Sequence, residues 1–229
     1  MTMFRLPLVL PLTAMALVAM AAPAIASDDV VTPPQQEQTP PQMPLTPAQP
    51  EAIVIAQPFV LDEPFTSEWR AERPSVRAGW LVVIKAAPEL LYPRQVAEPV
   101  LYAGQQPAER VNIGYESGYL VAIIGGELGE DGTLTTKLSE LPIFFGEPAL
   151  PEQVDTPTAT GQMVAAQTQG ITPFSARQID AARAKGRQTL KSDSLHVANK
   201  EALLRQAAQL LRVYAPGEET LIDSLDPKP

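Results

Sequence analysis

Short apolar runs separated by proline and glycine dominate residues 51–150. Runs of this length, rich in Val and Ile and bounded by turn residues, are typical of β-strands. The pattern predicts seven strands at residues 52–56, 79–86, 99–103, 110–115, 119–124, 133–136 and 142–145. Residues 80–84 contain no polar position, so we expect a central strand buried on both faces, with residues 119–124 in the same core.

Two tight turns are predicted between these runs. Residues 116–118 and 129–132 each end in a glycine, which can adopt the positive φ that short hairpin loops need. Short strands joined in this way, without a long helix between them, predict a mainly β domain over residues 51–150, either an antiparallel sandwich or a partly open barrel.

After residue 172 the apolar spacing changes to three and four residues, which predicts helices. Thr172 before Pro173, or Ser175 in a capping box with Gln178, can begin the first helix. Its narrow apolar face comprises Ile179, Ala182, Gly186 and Leu190. Gly186 weakens this helix by about 1 kcal/mol relative to alanine but lets a neighbour approach closely.

A second helix is predicted to begin at residues 192–194 and to end at Pro216-Gly217. Its apolar stripe comprises Leu203, Leu204, Ala207, Leu210, Leu211 and Tyr214. Two helices joined by a short polar turn predict an αα-hairpin over residues 172–216. Such a hairpin buries little alone, so its stripe is expected to pack on the β-domain or to dock on a partner.

The N-terminal pattern is that of a signal peptide over residues 1–26. Arg5 precedes an apolar stretch over residues 6–21, and Ala24 and Ala26 form a small-x-small cleavage site before Ser27. An uncleaved membrane anchor is the alternative, but prolines interrupt the stretch. We expect a periplasmic or secreted bacterial protein with no transmembrane segment after cleavage.

Three further segments lack a folding pattern. Residues 27–50 are rich in Pro and Gln and are expected to be a disordered linker, because they cannot bury enough apolar surface to offset ordering. Residues 151–171 are a second predicted linker, and residues 217–229 are an acidic tail.

The chain contains no cysteine, which excludes thiol enzymes and thiolate metal sites. Its net charge of −9 argues against nucleic acid as a partner. Residues 161–215 are nevertheless basic, with eight Lys and Arg against three Asp and Glu. This segment could contact the acidic β-domain of its own or a second molecule, or an anionic lipid surface.

Few residues indicate chemistry. His196 is the only histidine, and its neighbours Asp193 and Ser194 are better explained as helix caps than as a catalytic triad. A calcium site formed by Glu127, Glu130 and Asp131 is less favoured than a plain turn. We predict no catalytic residue, metal or cofactor.

Aromatic residues offer two weaker candidates for binding. Trp69 lies among Glu63, Glu68 and Glu72, a composition found in sugar clefts but also in ordinary exposed loops. A binding strip could instead form from Tyr102, Tyr115 and Tyr119.

These observations favour a non-enzymatic envelope protein that binds a protein or peptide through a strand edge or the helical stripe. The alternative is a periplasmic hydrolase or carbohydrate-binding enzyme with carboxylates near Trp69. A third hypothesis is a structural component that self-associates through opposite charges.

Overall fold

A computed structural model describes residues 46–67, 75–91, 98–148 and 170–226, and every structural statement below concerns these ranges. Their strands are Ala52–Phe65 (β1), Val76–Lys85 (β2), Val100–Ala103 (β3), Gln106–Pro107 (β4), Glu109–Gly114 (β5), Tyr119–Gly126 (β6), Ile143–Gly146 (β7) and Leu195–Val197 (β8). Their helices are Pro88–Leu91 (α1), Ala176–Leu190 (α2), Lys200–Tyr214 (α3) and Glu219–Leu225 (α4). The predicted cleavage site at Ala24, Ala26 and Ser27 lies outside these ranges, as do most of both predicted linkers.

Five strands form the main sheet in the order β5-β6-β2-β1-β8. The antiparallel pairing of β2 with β6 runs from Ala78 opposite Gly126 to Lys85 opposite Tyr119. Side chains at positions 81–84 and 120–124 are buried, whichever face of the sheet they occupy. The predictions that residues 80–84 form a central strand buried on both faces and that residues 119–124 share its core are therefore confirmed.

The smaller sheet has the order β4-β3-β7. Ala48 extends this sheet next to β7, because the backbones of Ala48 and Phe145 of β7 exchange two hydrogen bonds. The described residues form a mixed α/β fold, rather than the predicted mainly β domain followed by an αα-hairpin. Helices α2, α3 and α4 all pack on the main sheet, and β8 joins that sheet from within the predicted hairpin.

Each face of the main sheet has its own core. On one face, the small-sheet side, Val82 and Ile124 pack with Ile143 of β7 and Ile179 of α2. On the other face, the helical side, Val83 and Ile123 pack with residues of α3 and α4. The alternation of side chains along β2 and β6 thus supplies both cores at once.

Strand β1 is longer than the predicted run of residues 52–56. Its pairing with β2 continues past Pro58, which lies opposite Trp80. Pairing with β8 begins only at Phe59, so β1 is an edge strand at Pro58. A missing backbone donor is tolerated at a sheet edge, so the proline does not end the strand.

The N-cap of α2 is Ser175, in a capping box with Gln178, so Thr172 does not begin this helix. Helix α3 begins later than predicted, with Asn199 as its N-cap. Residues 195–197 instead form β8, parallel to β1, with Leu195 buried and His196 exposed. Because β1 offers an unpaired edge there, the extended conformation gains hydrogen bonds that an isolated helical turn would lack.

Both predicted turns are present. Gly118 has φ +76°, and a Cβ there would lie 2.4 Å from the backbone oxygen of Ala86. Residues 133–136 were predicted to be a strand, but this was wrong: they contribute only a single bridge between Leu134 and Leu128. Helix α3 ends before Pro216-Gly217 as predicted, while the predicted acidic tail contains α4.

Candidate functional site

An open cleft of about 760 Å³ lies where the ends of the two sheets meet. We call it the intersheet cleft. Its walls come from the ends of β2 and β6, from the β3–β4 hairpin and from the hairpin over residues 127–136. The lining comprises Ser75, Val76, Ala103, Gln105, Gln106, Gly125, Gly126, Glu127, Leu128, Thr136 and Leu141.

Two hydrogen bonds to Thr136 stabilise one wall of the intersheet cleft. Its backbone oxygen accepts a hydrogen bond from Trp80 Nε1 (2.8 Å), and its Oγ1 accepts one from the backbone N–H of Glu127 (2.9 Å). The wall also packs closely, because a Cβ on Gly126 would lie 2.6 Å from Leu134. This wall is therefore pre-formed.

The described lining of the intersheet cleft mixes apolar and polar groups, and most of it is uncharged. Gln105 and Gln106 supply amides, Ser75 and Thr136 supply hydroxyls, and Glu127 is the only ionisable residue among the described lining residues. Amide groups donate and accept hydrogen bonds, and so do hydroxyls. The lining therefore matches a ligand with alternating donors and acceptors, such as a polypeptide backbone.

A second cleft, of about 570 Å³, lies between the β5–β6 hairpin and α4. We call it the acidic cleft, because Glu116, Glu218 and Glu219 all line it. Tyr115 is also in its lining and is 39% exposed. At its base, Asn112 Nδ2 donates to Ser224 Oγ, which fastens α4 to β5.

The predicted docking stripe on α3 is part of the helical-side core. Leu203, Ala207, Leu210 and Leu211 are fully buried, and Leu204 and Tyr214 pack against the same core. Of the two alternatives for the stripe, the structure therefore shows packing on the protein's own sheet. A partner could reach the four buried side chains only by displacing α3.

One buried ion pair had no signal in the sequence. Glu109 begins β5 with its side chain 8% exposed, and its Oε1 binds Nζ of Lys200 at the start of α3. The same Nζ lies 4.8 Å from the ring centre of Phe65. Glu109 Oε2 is buried without a hydrogen-bond partner. This pair joins the helical region to the edge of the β-sheet.

The sequence favours helix caps over a catalytic triad for Asp193 and Ser194, but in the structure neither residue caps a helix. Asp193 Oδ1 accepts a hydrogen bond from Arg187 at 3.1 Å, and the backbone oxygen of Ser194 accepts one from Ser192. His196 is exposed on β8, so its predicted place in a first helical turn was wrong.

The calcium candidate is a turn. The backbone N–H and Oγ1 of Thr133 both donate to Asp131 Oδ1, at 3.0 and 2.7 Å, and these bonds lower the pKa of the Asp131 carboxyl. Glu127 and Glu130 are exposed around it. Across the described ranges, no three His, Asp or Glu side chains lie close enough to hold a metal ion together.

The aromatic candidates are dispersed. Tyr102 is buried and stacks on Phe144 at 5.3 Å between ring centres, whereas Tyr119 is half-buried near Lys85. The three tyrosines therefore form no common strip. Trp69, Glu68 and Glu72 lie outside the described ranges, and Glu63 is exposed.

None of the helices in the described ranges combines the length and the apolar character that a membrane span requires. Comparison with models of known families, with curated proteins and with solved structures finds no match to this chain.

Proposed function

We propose that this chain is an exported, non-enzymatic binding module of the bacterial envelope and that its ligand is a segment of another polypeptide. The observation that carries this proposal is the intersheet cleft, with its pre-formed wall and its amide and hydroxyl lining. A binding site that needs little rearrangement loses less entropy when its ligand binds.

The apolar positions of the cleft complement its polar groups. Val76, Leu128 and Leu141 lie among the amides and hydroxyls, which favours a ligand that presents both main-chain polar groups and apolar side chains. An extended peptide meets both requirements, since its successive side chains point in opposite directions. This chemistry, rather than the buried α3 stripe, supports the binding of a protein or peptide.

The proposed export depends on the sequence of residues 1–27. Cleavage by signal peptidase would leave Ser27 as the first residue of the mature protein. Mass spectrometry of the protein from the periplasm and from the culture medium tests this directly. A protein that retains its first 26 residues in every fraction would contradict cleavage.

Site-specific photocrosslinking in the living cell tests the intersheet cleft. A photoreactive amino acid at the exposed position Gln105 is expected to give adducts of discrete mass with an envelope polypeptide. The matched control carries the same amino acid at Gln209, which is exposed on α3 and lines neither described cleft. We expect no corresponding adduct there.

A blocking substitution shows whether the adduct depends on the cleft. Ser75→Trp places a large ring at an exposed position of the lining, where the fold has room for it. The yield of the adduct from position 105 should then fall at least several-fold, while the midpoint of unfolding is unchanged. An adduct of equal yield with and without the tryptophan would rule out the intersheet cleft as the binding site.

A further inference from the structure

Opposite charges occupy opposite parts of the main sheet. The acidic cleft lies beside β5, the strand at one end of the sheet order. Helix α2 packs beside β1, where Gly186 lies against Gln57. Three strand spacings separate β1 from β5, or about 14 Å. This exceeds the Debye length of about 8 Å at physiological ionic strength, so one surface barely neutralises the other within a molecule.

Within the described ranges, the carboxylates around the acidic cleft form no ion pair. Among the described residues, the ion pairs involve neither Glu116, Glu218 nor Glu219. Asp223 on the next turn of α4 has no ion pair there either. Glu116 and Glu219 are exposed, so these charges are accessible to a second molecule.

The solvent-exposed side of α2 is basic. Arg177, Lys185, Arg187 and Lys191 are all exposed, against one acid on the same helix, Asp180. Arg187 is the only one of the four in an ion pair within the described ranges, with Asp193. Ile179 and Ala182 are buried on the opposite side of α2. The basic side therefore faces away from the protein's own core.

We propose that the basic side of α2 from one molecule docks across the acidic cleft of a second copy. A cleft of about 570 Å³ accepts side chains rather than a whole helix, so cationic side chains of α2 enter it while the helix axis lies across its mouth. Because the two surfaces differ, the contact is head-to-tail and can propagate from copy to copy.

The association should be weak and sensitive to salt. A helix of 15 residues is about 22 Å long and covers on the order of a few hundred Å² on each partner. Stable complexes bury at least about 1,000 Å² in total. The net charge of −9 also opposes association in general, so the attraction must come from these local surfaces.

Sedimentation equilibrium of the purified protein tests the proposal at about 0.01 M and about 1 M salt. We expect reversible association at low salt that is abolished at high salt. Two charge-reversal variants, Glu116→Lys/Glu219→Lys and Arg177→Glu/Lys191→Glu, should each weaken association by about tenfold or more. A 1:1 mixture of the two should associate again, since each then offers the charge that the other's surface needs.

A control reverses charge elsewhere. Glu51→Lys/Glu130→Lys makes the same change in net charge as the cleft variant, at exposed positions outside both surfaces. It should not weaken association. A monomer at low salt, association that the reversals leave unchanged, or a mixture that stays monomeric would each overturn the proposal. Binding of anionic vesicles through Arg177 and Lys191 by a strictly monomeric protein would identify a lipid surface as the partner of α2 instead.

Discussion

The two faces of the main sheet are closed in different ways. On the helical side, α3 and α4 cover the sheet with a continuous layer of aliphatic side chains from Leu203 to Leu225. On the small-sheet side the described cover consists of short strands, a 3-10 turn at Leu138–Glu140, and Ile179 and Ala182 of α2. Two regular helices therefore cover the helical side, whereas several short segments packed closely together cover the small-sheet side.

This difference explains where the clefts and polar contacts occur. Short segments cannot seal a face as a long helix does, and the intersheet cleft opens where the small-sheet side ends. Trp80, whose indole N–H donates to the backbone of Thr136, also lies beside this less regular cover. The helical side holds the sheet together, while the small-sheet side leaves room for a ligand.

The largest expected effect on stability comes from truncating a buried leucine to alanine, and the two faces of the sheet can be compared by making this change on each. Leu211→Ala on the helical side should lower the free energy of unfolding by about 2–5 kcal/mol, because α3 is held along its length and a cavity remains. Leu138→Ala on the small-sheet side should cost less, because the 3-10 turn around it can relax. Urea unfolding measures both.

Val213→Ala is the control for this truncation, since Val213 is 57% exposed on α3. It should change stability by less than about 0.5 kcal/mol. A larger loss at Leu138 than at Leu211 would reverse the proposed contrast between the two faces.

The next effect concerns the ion pair that ties the helical side to β5. Lys200→Met leaves the Glu109 carboxylate buried without its cation, and we expect a loss of about 1–3 kcal/mol, since Lys200 is partly exposed. The double variant Lys200→Met/Glu109→Leu should recover most of this loss, because no unpaired charge stays buried.

An exposed pair provides the reference for that experiment. Lys137 Nζ lies 3.0 Å from Glu140 Oε1, and both side chains are largely exposed. Lys137→Met should therefore lower the free energy of unfolding by less than about 0.5 kcal/mol. Equal losses at positions 137 and 200 would mean that the burial of Glu109 has no energetic consequence.

A smaller effect tests the close approach of α2 to β1. A Cβ on Gly186 would lie 2.6 Å from Oε1 of the buried Gln57, so Gly186→Ala should destabilise the protein by about 1–2 kcal/mol. In a Gln57→Ala background the same change should instead gain up to about 1 kcal/mol, through better helix propensity. A double-mutant cycle by urea unfolding measures this coupling. Additive effects would show that the two residues do not constrain each other.

The smallest effect concerns the exposed turn at Asp131, which lies outside both cores. Its pKa lies below the ordinary 3.8, first because of the Thr133 side-chain hydrogen bond and then the backbone one. Thr133→Val removes only the first bond, so the pKa should rise part of the way, as carboxyl NMR titration would show. A carboxyl whose pKa is lower in the folded state stabilises the fold at pH values above its pKa in the unfolded chain. This contribution is lost as the pH falls through the pKa of the folded state.

Thr135→Val is the matched control, because Thr135 Oγ1 donates to the backbone of Glu127 rather than to Asp131. It should leave the Asp131 titration unchanged. An equal shift in both variants would mean that the whole turn, and not the Thr133 hydroxyl, controls this carboxyl.

Local patterns predicted those elements whose signals lie within a few residues. The α3 stripe follows the helical period, and residues 80–84 are apolar at every position, so both were predicted as they occur. Ser175 with Gln178 was one of two predicted starts for α2, because the two residues of the capping box lie only three positions apart in the chain. Such features need no knowledge of distant residues.

Contacts between distant residues account for what was missed. Ser192, Asp193 and Ser194 resembled a helix cap, yet the strand that follows them forms because β1 has a free edge. Glu109 and Lys200 are 91 positions apart, and neither has a local signal for the other. The two clefts likewise need sheet ends or helices from separate parts of the chain.

The amino-acid sequence by itself determined where apolar strands and helices occur, the absence of thiol chemistry, and the uneven charge along the chain. These depend on composition and on periods of two to four residues. Only the tertiary structure decided that the α3 stripe is core, that β8 completes the sheet, and that basic and acidic surfaces lie three strands apart. Those outcomes depend on which long-range contacts bury the most surface and satisfy the most backbone groups, and that competition is settled only in the folded chain.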